Sequence, residues 1–161
     1  QKQFKEKTIS RLYLALVWGL LKDKNGKYIS QIGRNPKNRK KFSIFKIGGK
    51  SAITKYKVKK NFSNVASLIE CKLLTGRTHQ IRVHLSSSGN SIIGDKKYGK
   101  NKSKLLKNVD KSLINQIITF KRQALHAYFL SFIHPIKKNK IELNSELPND
   151  INALIENLKL I

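Results

Sequence analysis

The chain has 161 residues, one domain's worth, long enough to bury about 70% of the surface its unfolded form exposes, which argues against a second domain. Its 34 lysines and arginines face only 9 acidic residues, a formal net charge of +25 spread along the chain, although an AT-rich genome would also enrich lysine, asparagine and isoleucine. Self-repulsion on that scale points to a polyanionic partner, RNA or DNA phosphate before a membrane or an acidic protein, and no run approaches the ~20 apolar residues of a membrane span.

The opening QKQFKEKTIS lacks the apolar core of a signal peptide. No methionine occurs at position 1 or elsewhere, so the chain is expected to be an excerpt of a longer protein. SRLYLALVWG, residues 10–19, is nearly continuous in apolar, β-branched and aromatic character and reads as a buried strand ended by Gly19. Asn25 and Gly26 in KDKNGK supply a turn. IGRNPKNRKKF, residues 32–42, reads as a basic loop: Pro36 excludes a helix interior, and Arg34, Lys37, Arg39, Lys40, Lys41 and, just beyond, Lys46 face solvent.

AITKYKVKKNF alternates Ile53, Lys55 and Lys57 against Thr54, Tyr56 and Val58, the pattern of a half-buried strand. VASLIECKLLTG pairs with it as a hairpin through NFSN. From Thr78, the spacing of Ile81, His84, Leu85 and Ser88 predicts a short helix capped by Thr78 and ended by Gly89; Ile81, Val83 and Leu85 also alternate as a strand would, and the punctuation at both ends favours the helix. GDKKYGKNKSKLLKNVDKS reads as a long exposed loop around one helical turn at residues 105–109. ALHAYFLSFIHP and KIELNSEL form strands joined by KKNK, and PNDINALIENLKLI a terminal helix starting near Asn149 or Asp150. The expected class is α+β, a mainly antiparallel mixed sheet with flanking helices.

No metal site is expected: His79 and His84 are five apart, on different faces of a helix, and Cys71 has no CxxC partner. Cys71 lies in an apolar strand pattern that suits packing rather than nucleophilic catalysis; a single cysteine also forms no internal disulfide, which fits the cytoplasm. Asp95, between Gly94 and Gly99, is expected to fix a turn by accepting backbone N–H bonds. Arg77 and Arg82 carry planar forks suited to an anion, yet on composition alone a solvated basic face explains them equally well. Tyr13 reads as core, or as an aromatic able to stack on an unpaired base.

SRLYLALVWG, TGRTHQIRVHL, IIGDKKYG and RQALHAYFLSFIHP, in this order along the chain, resemble the RluA-type family of RNA pseudouridine synthases, nearest to members that act on large-subunit ribosomal RNA. The resemblance runs from Ile9 to about Leu158. It implies the synthase catalytic fold and a cofactor-free isomerisation: a flipped uridine loses its glycosidic bond, the uracil turns, and C5 rejoins the ribose. Carried over by motif, the tyrosine that stacks on the base is Tyr13, the arginine that pairs with the family's catalytic aspartate is Arg82, and Ile81 and Leu125 line the base pocket. Arg77, His79 and the basic loop residues Arg34, Lys37, Arg39 and Lys40 are then RNA contacts, and the molecule is expected to act as a monomer without metal. The family's GHP is GNS here, at residues 89–91, a change expected to affect only a loop. The family's aspartate lies in an HRLD-type motif upstream of the tyrosine strand, and this chain contains no match to it. Residues 1–161 are therefore expected to be one catalytic domain lacking its amino-terminal part, with Arg82 poised for a carboxylate the chain does not supply. A synthase-like module that grips RNA without modifying it is the alternative.

Overall fold

The nine-residue strand β1 (Ser10–Trp18) lies inside a seven-stranded sheet rather than at its edge, hydrogen-bonded to β5 on one side and β6 on the other. The structure, a computed structural model, describes residues 9–100, 102–107 and 109–161; the opening QKQFKEKT, and Asn101 and Asn108 of the lysine-rich loop, lie outside the described residues. The strands are β2 (Asn25–Arg34), β3 (Phe42–Phe45), β4 (Lys50–Phe62), β5 (Ala66–Leu73), β6 (Leu125–Ile133) and β7 (Lys140–Asn144). Their order is β3-β2-β4-β5-β1-β6-β7, and every pairing among them is antiparallel rather than mixed. Among the described residues three α-helices accompany the sheet: α1 (Gln80–Ser87), α2 (Lys111–Ile118) and α3 (Asn149–Lys159). The α+β class is as the sequence indicates.

Local patterning explains most of the elements. In β4 Ala52 and Thr54 are buried while Lys55 and Lys57 are exposed, as alternation requires. The β4–β5 hairpin turns through residues 63–65, closing Phe62 against Ala66, and KKNK turns β6 into β7 with Lys138 at φ 57°. Five expectations need correction. Asn25 and Gly26 begin β2 instead of forming a turn, and Ile32 to Arg34 finish that strand, so the basic loop is only residues 35–41. The helical turn after Gly99 is a 3-10 turn over Ser103–Leu106. The lysine-rich stretch does not stay a loop to its end, because Asp110 caps α2 by accepting from the N–H groups of Ser112 and Leu113. Thr78 does not cap α1: the N-cap is His79, in the left-handed region and without a side-chain cap bond.

The largest buried cluster joins Leu16, Val17, Ile69 and Leu85 of β1, β5 and α1 to Ile117 of α2 and to Ile151, Leu154 and Leu158 of α3. Cys71 is fully buried there, and burial pushes its thiol up to about 12, which suits packing. In the GNS segment Asn90 Nδ2 donates to the carbonyls of Trp18 and Leu20 at 3.0 Å each, and just beyond it Ile92 bridges to Val17. These contacts bring the chain after α1 to the end of β1, where Ile93 takes the Leu16 carbonyl and gives its own to Ala124 N–H.

At Gly94, φ is +73° and a Cβ would collide with the Arg122 carbonyl. Gly94→Ala is expected to cost about 2 to 4 kcal/mol, from left-handed strain and overpacking together. Urea unfolding of both proteins checks this; an unchanged midpoint would contradict the packing described.

Candidate functional site

Antiparallel register decides which side chains share a face. Tyr13 lies opposite Cys71 on one side and Ala127 on the other, and Cys71 lies opposite Tyr56, so all four project to one face of the sheet. Leu125, opposite Ala15, belongs to the same face two residues along. Ala127 is exposed, so the sheet beside Tyr13 carries no bulky neighbour on the β6 side. Tyr13 itself is half-buried against the core.

Helix α1 is fastened over this same face by a buried polar chain. Gln80, 2% exposed, uses its whole amide: Oε1 accepts from the Thr75 hydroxyl at 2.8 Å and the Arg77 N–H at 3.0 Å, and Nε2 donates to the Ile53 carbonyl at 3.0 Å and Thr54 Oγ1 at 2.9 Å. Thr54 Oγ1, which accepts from Gln80, is also hydrogen-bonded to His84 Nδ1 at 2.9 Å, and His84 Nε2 is hydrogen-bonded to Ser30 Oγ at 2.8 Å. Burial lowers the His84 pKa to about 4, consistent with a neutral ring. In the sequence this network is visible only as polar residues at apolar-periodic positions of α1 and at an inward position of β4.

The turn that enters α1 is shaped by the same amide. Arg77 Nε donates to the Ser51 carbonyl at 2.9 Å, which ties that arginine to the start of β4. Gly76 packs so closely on the Arg11 guanidinium that a Cβ would stand 2.8 Å from Nη1; Arg11, two residues before Tyr13, is a site-face cation that motif reading passed over. His79 sits at φ 57°, a strained conformation for a residue with a side chain. Its Nδ1 accepts from the Tyr98 hydroxyl at 2.9 Å, while that oxygen accepts the Phe42 N–H at 2.9 Å. Burial, then the charges of Arg82 and Lys97, lower its pKa.

Arg82 departs from expectation most. Its carboxylate is supplied by this chain: Nε and Nη2 reach Asp95 Oδ2 and Oδ1 at 2.8 and 2.7 Å, and the guanidinium carbon stands 4.9 Å from the Tyr98 ring centre. Asp95 also accepts the Lys97 and Tyr98 N–H groups at 3.0 Å each, the turn role read from GDKKYG. Burial alone would raise the Asp95 carboxyl; the hydrogen bonds from Arg82, Tyr98 and Lys97 outweigh it and hold it below its ordinary value. The bond to Asp95 correspondingly raises Arg82. Nη1 makes no hydrogen bond among the described residues, and the side chain is 14% exposed.

The remaining sequence candidates fall into two groups. Ile81 is 4% exposed, inside the core cluster against which Leu125 and Tyr13 also pack, so it is buried between α1 and the sheet rather than open to solvent. Lys37, Arg39 and Lys40 are exposed in the loop after β2; Arg34 lies 5.3 Å over the Phe42 ring and donates to the Arg39 carbonyl. Phe42 in turn sets its ring edge against His79 at 5.8 Å, so the basic loop and the α1 turn are contiguous. No group of metal ligands occurs among the described residues, and no helix of the described residues is long and apolar enough to cross a membrane.

An all-antiparallel sheet with a partly buried tyrosine on an inner strand, an arginine fork on the helix over the same face, and cations around both define an α+β protein with its polar site on one sheet face. The family described as RNA pseudouridylate synthase matches residues 1–87, and the chain belongs to that family. A ribosomal large subunit pseudouridine synthase D of Zymomonas mobilis is 42% identical over 98% of this chain and 48% of its own length. The Neisseria meningitidis serogroup B protein of the same name is 41% identical over 99% of this chain and 41% of its own length, and an uncharacterized RNA pseudouridine synthase of Bacillus subtilis 40% identical over 98% and 46%. The chain therefore spans about half the length of these curated relatives. In fold it is similar to human RNA pseudouridylate synthase domain containing 4, with a TM-score of 0.75 at 20% identity over 99% of this chain and 66% of that one, and to domain containing 1, with 0.70 at 24% over 99% and 69%.

The neutral His84 makes stability pH-dependent. Its folded value, about 4, lies below the ordinary ~6.5, so the unfolded chain binds the proton first and stability falls as pH drops below about 6.5. Allowing for solvent screening, the protein is expected to lose roughly 1 to 2 kcal/mol between pH 7 and pH 5 from this group. Urea unfolding at both pH values measures the loss, and the His84→Gln variant should lack that component; an equal pH slope in the variant would exclude His84 as its source.

Proposed function

We propose that the chain is the carboxy-terminal part of the catalytic domain of an RNA pseudouridine synthase whose target uridine lies in large-subunit ribosomal RNA. The observation that carries this reading is the Arg82 fork held at 14% exposure on a helix fastened over the same sheet face as Tyr13. Extruding a base costs a few kcal/mol, which phosphate contacts and stacking must offset. In this reading Lys37, Arg39, Lys40, Arg77 and His79 hold phosphate, and Arg11 adds a cation beside them. Tyr13 stacks on the extruded uracil, with open space beside it over Ala127. Leu125 supplies an apolar wall, and Ile81 supports the wall from behind. Nη1 of Arg82 donates a hydrogen bond to an anion at the reacting sugar, including the family's aspartate from the upstream segment. The isomerisation involves no net oxidation or reduction, so it calls for no redox cofactor: the glycosidic C–N bond breaks, a C–C bond forms at C5, the C5 proton leaves for solvent or a base, and N1 takes up a proton.

Two measurements test the reading. Ribosomal RNA from cells lacking the gene should lack a pseudouridine that the full gene product restores, and Arg82→Lys in that product should lower kcat about 100-fold or more while RNA binding persists, since lysine keeps the charge and loses the fork. An active Arg82→Lys enzyme would remove Arg82 from the chemistry, and RNA binding without any modification would favour the non-catalytic module. Second, replacing Lys37, Arg39 and Lys40 together with alanine should reduce the slope of log affinity against log salt by roughly 2 on single-stranded RNA. An unchanged slope would take the loop out of the RNA interface.

A further inference from the structure

We propose that Asp95 is a positioning residue for Arg82, holding the guanidinium by its Nε–Nη2 edge so that the Nη1 end is presented to a second anion in the reacting site; the inference rests on the synthase reading above. Asp95 is not itself a site-face group. Its side chain is 1% exposed, it follows a glycine whose left-handed backbone is wedged against Arg122, and nothing places it beside Tyr13.

Three features separate positioning from a merely structural ion pair. The contact is bidentate and side-on, 2.8 Å to Nε and 2.7 Å to Nη2, which fixes the plane of the guanidinium as a single bond would not. The Tyr98 ring, 4.9 Å away, presses on the same plane, and Tyr98 is itself located by its N–H to Asp95 and its hydroxyl to His79 and Phe42. The Nη1 nitrogen, whose two protons lie on the adjoining edge, has no hydrogen bond among the described residues, whereas the other two nitrogens are used. An arginine serving stability alone would gain by satisfying that end within the fold. The carboxylate is in turn locked by two backbone N–H groups, so neither partner can swing without breaking the GDKKYG turn. Arg82 thus bridges two anions, one built into this chain and one arriving with substrate or with the upstream segment.

The substitution Asp95→Asn separates the two roles of the carboxylate. An asparagine Oδ1 can still accept the Lys97 and Tyr98 N–H groups, while its Nδ2 faces Arg82 Nε donor to donor. In the full gene product, D95N is expected to keep its melting temperature within a few degrees and its RNA affinity within about twofold, while kcat falls about 10- to 100-fold. Combined with Arg82→Lys, it should add less than about a threefold further loss, because both substitutions remove the same presented fork. Wild-type kcat in D95N, full multiplication of the two effects in the double variant, or loss of folding and activity together would each overturn the proposal, the last by assigning Asp95 to the turn alone. An unsubstituted gene product that makes no pseudouridine would overturn the synthase reading and this proposal with it, and is told apart from the other outcomes by that control.

Discussion

A single buried amide sets the geometry on which the site depends. Gln80 has four hydrogen-bonding positions and all four are used, two toward the turn before α1 and two toward β4. An amide buried with any of these unmade would cost about 1 to 3 kcal/mol, so turn and strand are held in one relative placement. From that placement follow the direction of α1, the seat of His84 between Thr54 and Ser30, and the position of Arg82 one turn into the helix. The left-handed His79 is the local cost: the chain must bend sharply between the Arg77 N–H that reaches Gln80 and the first turn of the helix.

The second constraint is charge. With a formal +25, this chain has few carboxylates to spend, and the described ones are placed unequally. Asp150 pairs with Arg122 at an exposed site, and Glu156 with Lys159 on α3, where such pairs contribute little. Asp95 alone among these aspartate and glutamate pairs is buried with its arginine, and there the local dielectric makes the interaction and its geometry matter more. Many other cations of the described residues face solvent, among them Lys37, Arg39 and Lys40 in the loop after β2. That distribution suits a partner bringing its own negative charge.

Much of the fold was legible because sheets advertise themselves locally. The alternation in β4, the apolar run of β1 and the turn residues between β4 and β5 each lie within a dozen residues, and the structure follows them. The helix α2 is hard to read locally because its cap, Asp110, continues the lysine-rich stretch before it, although LINQII carries a helical apolar spacing. The cap of α1 was misassigned for a physical reason: threonine at 78 is a favourable N-cap type, but Gln80 holds the turn so that His79 occupies that position, bonded to Tyr98 instead of to the helix.

Of the site, motif order was enough to single out Tyr13, Arg82 and the basic loop, since these are matters of residue type and spacing. The partner of Arg82 was not accessible in the same way. Asp95 is thirteen residues along, beyond the end of the helix, and it meets Arg82 only because Ile92 and Ile93 dock on β1 and Gly94 turns the chain back. The neutral state of His84, the open space over Ala127 and the common face of Tyr13 and α1 belong to the same category. Each arises from strand register or from contacts between residues far apart in the chain, which a one-dimensional pattern cannot carry, whereas the strands, the hairpins and the family motifs are properties of neighbours and survive without the fold around them.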